Sequence, residues 1–251
     1  MNLPAAGEIV SSENAFTKNR LHLGCGLTTP VGWINIDGSW NARLAKHPVL
    51  RRIAHSLRLV SADKLSVPWN PAIFIHDVRN PLPFPADSAE VIYSSHLLEH
   101  LYFEEARELV RECFRVLTAG GVLRIVVPDL RAIVREYLGD GRIGEPSADP
   151  DSLRPADRLN HRLLMRPSAP PNANCLYRVY TAWKDFHQHK WMYDADSLIA
   201  LLESSGFTAV REMSLHQSRI ADIKDVEQPG RVANGEGICV EGVKPPVNPE
   251  T

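Results

Sequence analysis

The feature that most constrains this chain is a helix set between two strand-like runs. Ala106, Leu109, Val110, Cys113, Phe114 and Leu117 recur at three- and four-residue spacing, which predicts one apolar helical face. The other face carries Glu104, Arg107, Glu108, Arg111, Glu112 and Arg115, each Glu three residues ahead of an Arg, a spacing that supports a helix. Gly120-Gly121 reads as the left-handed cap that ends it. Before the helix, Glu90-Val91-Ile92-Tyr93-Ser94 reads as a strand. After it, the β-branched run Val122 to Val127 reads as another.

The same alternation continues on both sides. Leu21-His22-Leu23, Trp33 to Asp37 and Ile73-Phe74-Ile75 read as three earlier strands, with a helix expected near Leu50 to Val60. Pro81, Pro83 and Pro85 enforce an extended loop, because proline removes a donor and disfavours helix before it. Pro128-Asp129 opens a helix to about Leu138, and Asp196 to Ser205 forms another, stopped by Gly206. Phe207 to Met213 and Ile238 to Val243 are two late strands, expected to close the sheet as an antiparallel hairpin. Strands alternating with helices predict an α/β fold, a doubly wound, mostly parallel sheet of seven strands. Residues 139 to 190, rich in Pro, Asp, Arg and Asn, break the rhythm and read as an inserted cap with a partial helix near Pro155 to Leu164. Residues 1 to 18 are expected to be a loose arm, 19 to 244 one domain, and 245 to 251 a tail.

Composition narrows the function classes. The formal net charge of −2 gives no basic footprint of the kind that binds nucleic acid. No apolar run reaches the roughly 20 residues needed to span a bilayer. The cysteines, Cys25, Cys113, Cys175 and Cys239, form no C-x-x-C pair, which suggests free thiols in a reducing compartment. Met1 to Lys18 has no apolar core behind positive charges, so no signal peptide is expected and a cytoplasmic location is.

Three places carry chemistry. Gly24-Cys25-Gly26 directly follows the first strand, where glycine permits positive φ and close approach of a ligand, at the sheet edge where ligands bind. The turn alone is equally a plain tight turn. Asp37 and Asp77 end the second and third strands, so both carboxylates point to the same crevice; singly, each could be a solvated turn residue. Ser94-Ser95-His96-Leu97-Leu98-Glu99-His100 follows the fourth strand. His96 and His100 are four apart and would share a helical face. Either could act as a general base, while His100 could equally be a packed residue holding the helix start. The pair could also suggest a metal, but H-E-x-x-H is absent and no third ligand is evident, so no metal is expected.

The segments LHLGCG, GWINID, HDVRNPLPFPADSAEVIYSSHLLEHL, RECFRVLTAGGVLRIVVPDL and HKWMYDADSLIALLESSGF, in that order, resemble the class I S-adenosylmethionine-dependent methyltransferases, specifically the type 11 methyltransferase-domain branch. The resemblance runs from Leu21 to Val243 and is poor from about Gly139 to Asp185. It implies a Rossmann-like fold and S-adenosylmethionine as cofactor. Gly24, Cys25 and Gly26 would line its methionine and ribose end, and Asp37 would hold the ribose hydroxyls. Asp77 and the Val78 backbone would read the adenine, and Ser94, Ser95 and His96 would sit below the sulfonium. Two departures stand out: His22 replaces an acid two residues before the first glycine, and Thr28 replaces a third glycine.

The expected activity is methyl transfer to oxygen or nitrogen of a small acceptor, such as a natural-product or saccharide intermediate, with His96 and His100 as catalytic candidates. Arg158, Asn160, His161, Arg162, Tyr177, Tyr180, Trp183, His187, His189 and Trp191, all in the insert, could clamp that acceptor. Asp129 either faces the acceptor or only starts its helix. The alternative from another class is a non-catalytic S-adenosylmethionine-binding scaffold. A nucleic-acid methyltransferase ranks lower, because Ser94-Ser95-His96-Leu97 stands where an Asn/Asp-Pro-Pro-aromatic loop would be. A dehydrogenase ranks lowest, since Thr29 falls where G-x-G-x-x-G requires glycine.

Overall fold

A computed structural model describes residues 19–47, 49, 56, 67–140, 154–164 and 188–246. Among them seven strands form one sheet in the order β3-β2-β1-β4-β5-β7-β6. The strands are β1 (Asn19–Leu23), β2 (Ile34–Asp37), β3 (Phe74–Ile75), β4 (Ala89–Ser95), β5 (Leu117–Pro128), β6 (Thr208–Met213) and β7 (Gly237–Val243). The first five pair in parallel, while β7 runs antiparallel to both β5 and β6. The Rossmann-like architecture with a closing antiparallel strand is therefore as the sequence implies. The expected helix at 50–60, apart from residue 56, and the expected arm at 1–18 lie outside the described residues, as does most of the insert.

The helices are α1 (Trp40–Ala45), α2 (Phe103–Val116), α3 (Leu130–Leu138), α4 (Pro155–Leu163) and α5 (Ala195–Ser204). Helix α2 buries Ala106, Leu109, Val110, Cys113 and Val116, the stripe its spacing predicts, and Phe114 packs at its edge. Together with Leu198, Leu201 and Leu202 of α5 it covers one sheet face, made by Leu21, Leu23, Ile92, Leu123, Ile125 and Val240. Asp129 caps α3 by accepting from the Arg131 N–H at 2.8 Å, and Gly139 ends it at φ 87°.

One expectation is corrected. Gly120-Gly121 does not cap α2: Leu117 is already extended at the helix end, and β5 begins there. The Gly120 N–H instead donates to the Lys244 carbonyl at 2.8 Å. Gly121 is packed so that a Cβ would lie 2.8 Å from the Thr118 carbonyl. Sheet pairing captured two residues that local chemistry would assign to a helix terminus.

The link from β1 to β2, residues 24–33, contains no helix and is shorter than the roughly dozen residues a parallel crossover ordinarily uses. The other sheet face, carrying Trp33, Val91, Tyr93, Val122, Val126 and Cys239, is covered instead by Ile220, Ile223 and Val226 from the long β6–β7 connection, residues 214–236. Burying each of these three is worth ~1.5–3 kcal/mol. The connection is also pinned electrostatically. Arg124 on β5 is fully buried, donates from Nε and Nη2 to Glu227 at 2.8 and 2.9 Å, and donates from Nη1 to Glu241 at 2.9 Å. The Gln217 and Ser214 carbonyls accept its remaining donors. The late strands thus form an antiparallel pair, as expected, but the connection between them is a structural element in itself.

Candidate functional site

The C-terminal ends of β1, β2 and β4 converge on the glycine turn. Gly24 and Gly26 adopt φ of 66° and 54°, the left-handed region that favours glycine. A Cβ on Gly24 would press on the Leu97 side chain at 3.2 Å, whereas among the described residues nothing lies within 4 Å of where a Gly26 Cβ would be. The backbone therefore closes against the β4 loop at Gly24 and opens to free space at Gly26.

Asp37, buried at the end of β2, braces this turn. Its Oδ2 accepts from the Gly26 N–H at 3.0 Å and its Oδ1 from the Ser39 N–H at 2.8 Å. Asp77, just past β3, is gripped by Arg79, whose Nε and Nη2 donate at 2.9 and 2.6 Å. That guanidinium pairing holds the Asp77 carboxyl below the usual carboxylate range. The two acids meet through the backbone: Gly38 lies so close to β3 that a Cβ there would sit 2.5 Å from the His76 carbonyl. Val78 is buried beside them.

Cys25 is buried, donates its backbone N–H to Ile36 at 3.0 Å, and has its thiol pushed up to about 12 by burial, so it is no nucleophile near neutral pH. Ser94 and Ser95 end β4, both buried, and Ser94 Oγ has no hydrogen-bond partner among the described residues. His22 projects from β1 to the face opposite Leu21 and Leu23. It is packed between Trp33 and Tyr93, with ring centroids 6.3 and 5.3 Å away. Burial lowers its pKa to about 4, so the imidazole is neutral.

A small cleft lined by His22, Gly24, Cys25, Thr28, Ser95, Val226, Gln228 and Arg231 joins this turn to the β6–β7 connection. Gln228 Nε2 donates to Thr28 Oγ1 at 2.5 Å across it. Arg231 and Gln228 were invisible as site residues in the sequence, because only the fold carries residues 226–231 back to residue 24.

A second cavity of about 210 Å³ is lined by His96, Pro128, Ile133, His161, Arg162, Leu164, His189 and Glu236. Ser95 lines the first cleft and His96 the second, so the end of β4 stands between them. His96 adopts φ 52°, and its Nε2 lies 3.2 Å from the Arg231 carbonyl. Its Nδ1 faces Glu99 Oε1 at 3.3 Å. His100 is half-buried, with Nδ1 3.3 Å from the Gln188 carbonyl. Of the insert residues, His161 and Arg162 reach the cavity from α4, and Arg162 pairs with Glu136 and Glu236. Trp191 instead stacks on Phe103 at 4.9 Å, and Asp129 forms a bridge with Tyr193. Tyr177, Tyr180, Trp183, His187 and Cys175 lie outside the described residues.

Sequence comparison agrees with this geometry. Residues 21–125, from β1 through the middle of β5, match the methyltransferase-domain family. The sheet order and the glycine turn are those of the Rossmann-like class I methyltransferase fold. The matched span supports S-adenosylmethionine-dependent methyl transfer, with S-adenosylmethionine as the cofactor. No curated protein matches the chain. Among solved structures, an S-adenosylmethionine-dependent methyltransferase from Thermotoga maritima is similar at 16% identity, over 95% of this chain and 86% of that one, with a TM-score of 0.42. Another from Mesorhizobium loti is 16% identical over 90% of each chain, TM-score 0.42. A third, from Archaeoglobus fulgidus, is 14% identical over 91% of this chain and 88% of that one, TM-score 0.41. Among the described residues no helix is long and apolar enough to cross a membrane.

Proposed function

We propose that this enzyme methylates an oxygen or nitrogen of a small, polar acceptor bound in the cavity walled by His96, His161 and His189. The observation that carries this reading is the adjacency of two spaces across Ser95 and His96, one at the glycine turn and one beside the insert. A cavity of about 210 Å³ is smaller than most drug-sized ligand sites, which span roughly 300–1,000 Å³, and its polar lining suits a compact hydrogen-bonding molecule.

The residues at the turn fit the cofactor. Open space over Gly26 leaves room for it, the unpartnered Ser94 Oγ offers a polar contact, and Asp37 keeps unused lone pairs on a buried carboxylate. We assign Gly24, Cys25 and Gly26 to its methionine and ribose end, Asp37 to the ribose hydroxyls, Asp77 and the Val78 backbone to the adenine, and Ser94 and Ser95 to the floor. A neutral His22 cannot replace an acid in holding an ammonium. Arg231, in the same cleft, is the cation placed to meet a carboxylate.

The bound cofactor supplies an electrophilic methyl group on sulfur. The chain has to align the acceptor and take its proton. Alignment contributes up to ~7–11 kcal/mol in favourable cases and a general base ~10²–10⁴-fold. His96 is assigned to receive the proton, since it lines the cavity and Glu99, 3.3 Å from its Nδ1, stabilises charge arriving on the ring. His100 is assigned a supporting place in the same loop. The acidic net charge and the histidine-lined cavity favour a small acceptor over a nucleic acid. The buried free thiols Cys25, Cys113 and Cys239 favour a reducing, cytoplasmic location.

The test is transfer of labelled methyl from S-adenosylmethionine to fractionated small-molecule extract, with His96→Ala as control. Label incorporated by the wild type and lost in the variant supports the reading. Cofactor binding with no transfer to any fraction favours the non-catalytic scaffold.

A further inference from the structure

We propose that Glu99, His100 and His189 form a binding site for one divalent first-row transition-metal ion. One potential ligand atom of each residue lies within 4.8 Å of the others. Glu99 is 1% exposed, and neither carboxylate oxygen has a hydrogen-bond partner among the described residues. A buried carboxylate that meets the His96 ring at 3.3 Å, outside hydrogen-bond geometry, and accepts no hydrogen bond among the described residues is costly, and a cation is the natural compensation. Its contact with His96 Nδ1 engages the Oε1 side at 3.3 Å and leaves Oε2 for an ion.

The two imidazoles are arranged as ligands. His100 Nδ1 faces the Gln188 carbonyl at 3.3 Å and therefore carries the proton, which leaves the Nε2 lone pair free. His189 has the opposite arrangement. Its Nδ1 is buried and has no hydrogen-bond partner among the described residues, which leaves that nitrogen available to an ion. A backbone carbonyl fixing the non-coordinating nitrogen is the outer support that metal-binding histidines use. The two rings stand 5.1 Å apart. Their relative position is set by main chain: Lys190 and Trp191 N–H groups both donate to the Glu99 carbonyl, at 2.7 and 3.3 Å. The segment carrying His189 is thus clipped onto the residue that supplies the carboxylate.

Two imidazoles and one carboxylate, with no thiolate, suit zinc, iron(II), cobalt(II) or manganese(II) better than the all-oxygen preferences of calcium and magnesium. Three protein ligands leave open coordination positions. His189 also lines the 210 Å³ cavity, so those positions face whatever occupies it. An acceptor bearing a hydroxyl or amine would bind there directly. This last clause rests on the acceptor reading above; the metal site itself does not.

The experiment is a titration of chelator-stripped full-length protein with cobalt(II), read by visible d–d absorbance and by calorimetry with zinc. Glu99→Gln and His189→Asn are run beside it, all three proteins being checked by circular dichroism and by S-adenosylhomocysteine binding. We expect one equivalent of tightly bound ion in the wild type and a loss of at least roughly tenfold in affinity in each variant. A folded wild type that binds neither ion at millimolar concentration overturns the site, as does cobalt binding unchanged in both variants. Homocysteine-cofactor binding separates the two proposals: its failure with metal binding intact strikes the methyltransfer reading and leaves the metal site standing.

Discussion

The Gly26 N–H donates to Asp37 Oδ2 at 3.0 Å, across eleven positions of sequence, and this one hydrogen bond ties the glycine turn to the end of the neighbouring strand. The carboxylate thus shapes the turn, and in the proposed assignment the same group holds the ribose. Asp37→Ala should weaken S-adenosylhomocysteine binding by roughly 1.5–3 kcal/mol, the worth of charge-assisted hydrogen bonds. Calorimetric titration checks it, and wild-type affinity in the variant removes Asp37 from the cofactor site.

Arg231 should matter to one end of the cofactor only. If its guanidinium meets the carboxylate, Arg231→Ala loses affinity for S-adenosylhomocysteine while affinity for adenosine is unchanged. An equal loss for both ligands would instead mean that the β6–β7 connection has shifted.

His22 gives a pH dependence with a definite sign. Its folded pKa of about 4 lies below the ordinary 6.5, so the unfolded chain binds the extra proton first. The stability linked to this group is complete above pH 6.5 and is lost as pH falls toward 4, amounting to about 3 kcal/mol over that window. Urea unfolding at pH 7 and pH 5 should show a smaller difference in His22→Gln than in the wild type. An identical difference would mean that other groups dominate the acid limb.

Removing one partner of a buried ion network leaves an uncompensated charge, at ~3–5 kcal/mol. Glu227→Ala should cost about that much, because Arg124 and Glu227 are both fully buried along the network. The isosteric Glu227→Gln should cost less. Amide hydrogen exchange should localise the effect to residues 214–236, and a uniform loss of protection would argue against a separately pinned segment.

Gly38→Ala tests the contact between the two acidic strand ends. Its Cβ would sit 2.5 Å from the His76 carbonyl, a backbone atom that cannot swing away. Overpacking of this kind costs ~1–3 kcal/mol, and cofactor affinity should fall with stability as Asp37 and Asp77 are forced apart. A variant as stable as the wild type would show that β3 yields freely.

Much of this was readable before folding, for local reasons. The α2 stripe, the Asp129 cap, the Gly139 stop and the strand-end positions of Asp37 and Asp77 depend on neighbours a few residues away. Gly120-Gly121 carries real helix-stop chemistry that is overridden by backbone hydrogen bonds to Lys244, just past β7. Glu99 leaves a sequence signal, a charged residue within the run Leu97-Leu98-Glu99-His100-Leu101, but not one that names its partners. Its partner His189 is ninety positions distant and was grouped only with the insert's other polar residues. Nothing local in 214–236 announces that it roofs a sheet face, since its apolar residues are few and follow neither strand nor helix period.

The roof over that face has a consequence for how the enzyme comes into being. The glycines and acids assigned to the cofactor are all made by residue 77, yet Val226, Gln228 and Arg231, which wall the same cleft, are made only after β6. A nascent chain stopped after β5 would hold the turn's residues with Trp33 and Tyr93 still lacking their cover. On the proposed assignment, competence to bind the cofactor therefore waits on the β6–β7 connection, and a product truncated before it would be a poor consumer of the cofactor.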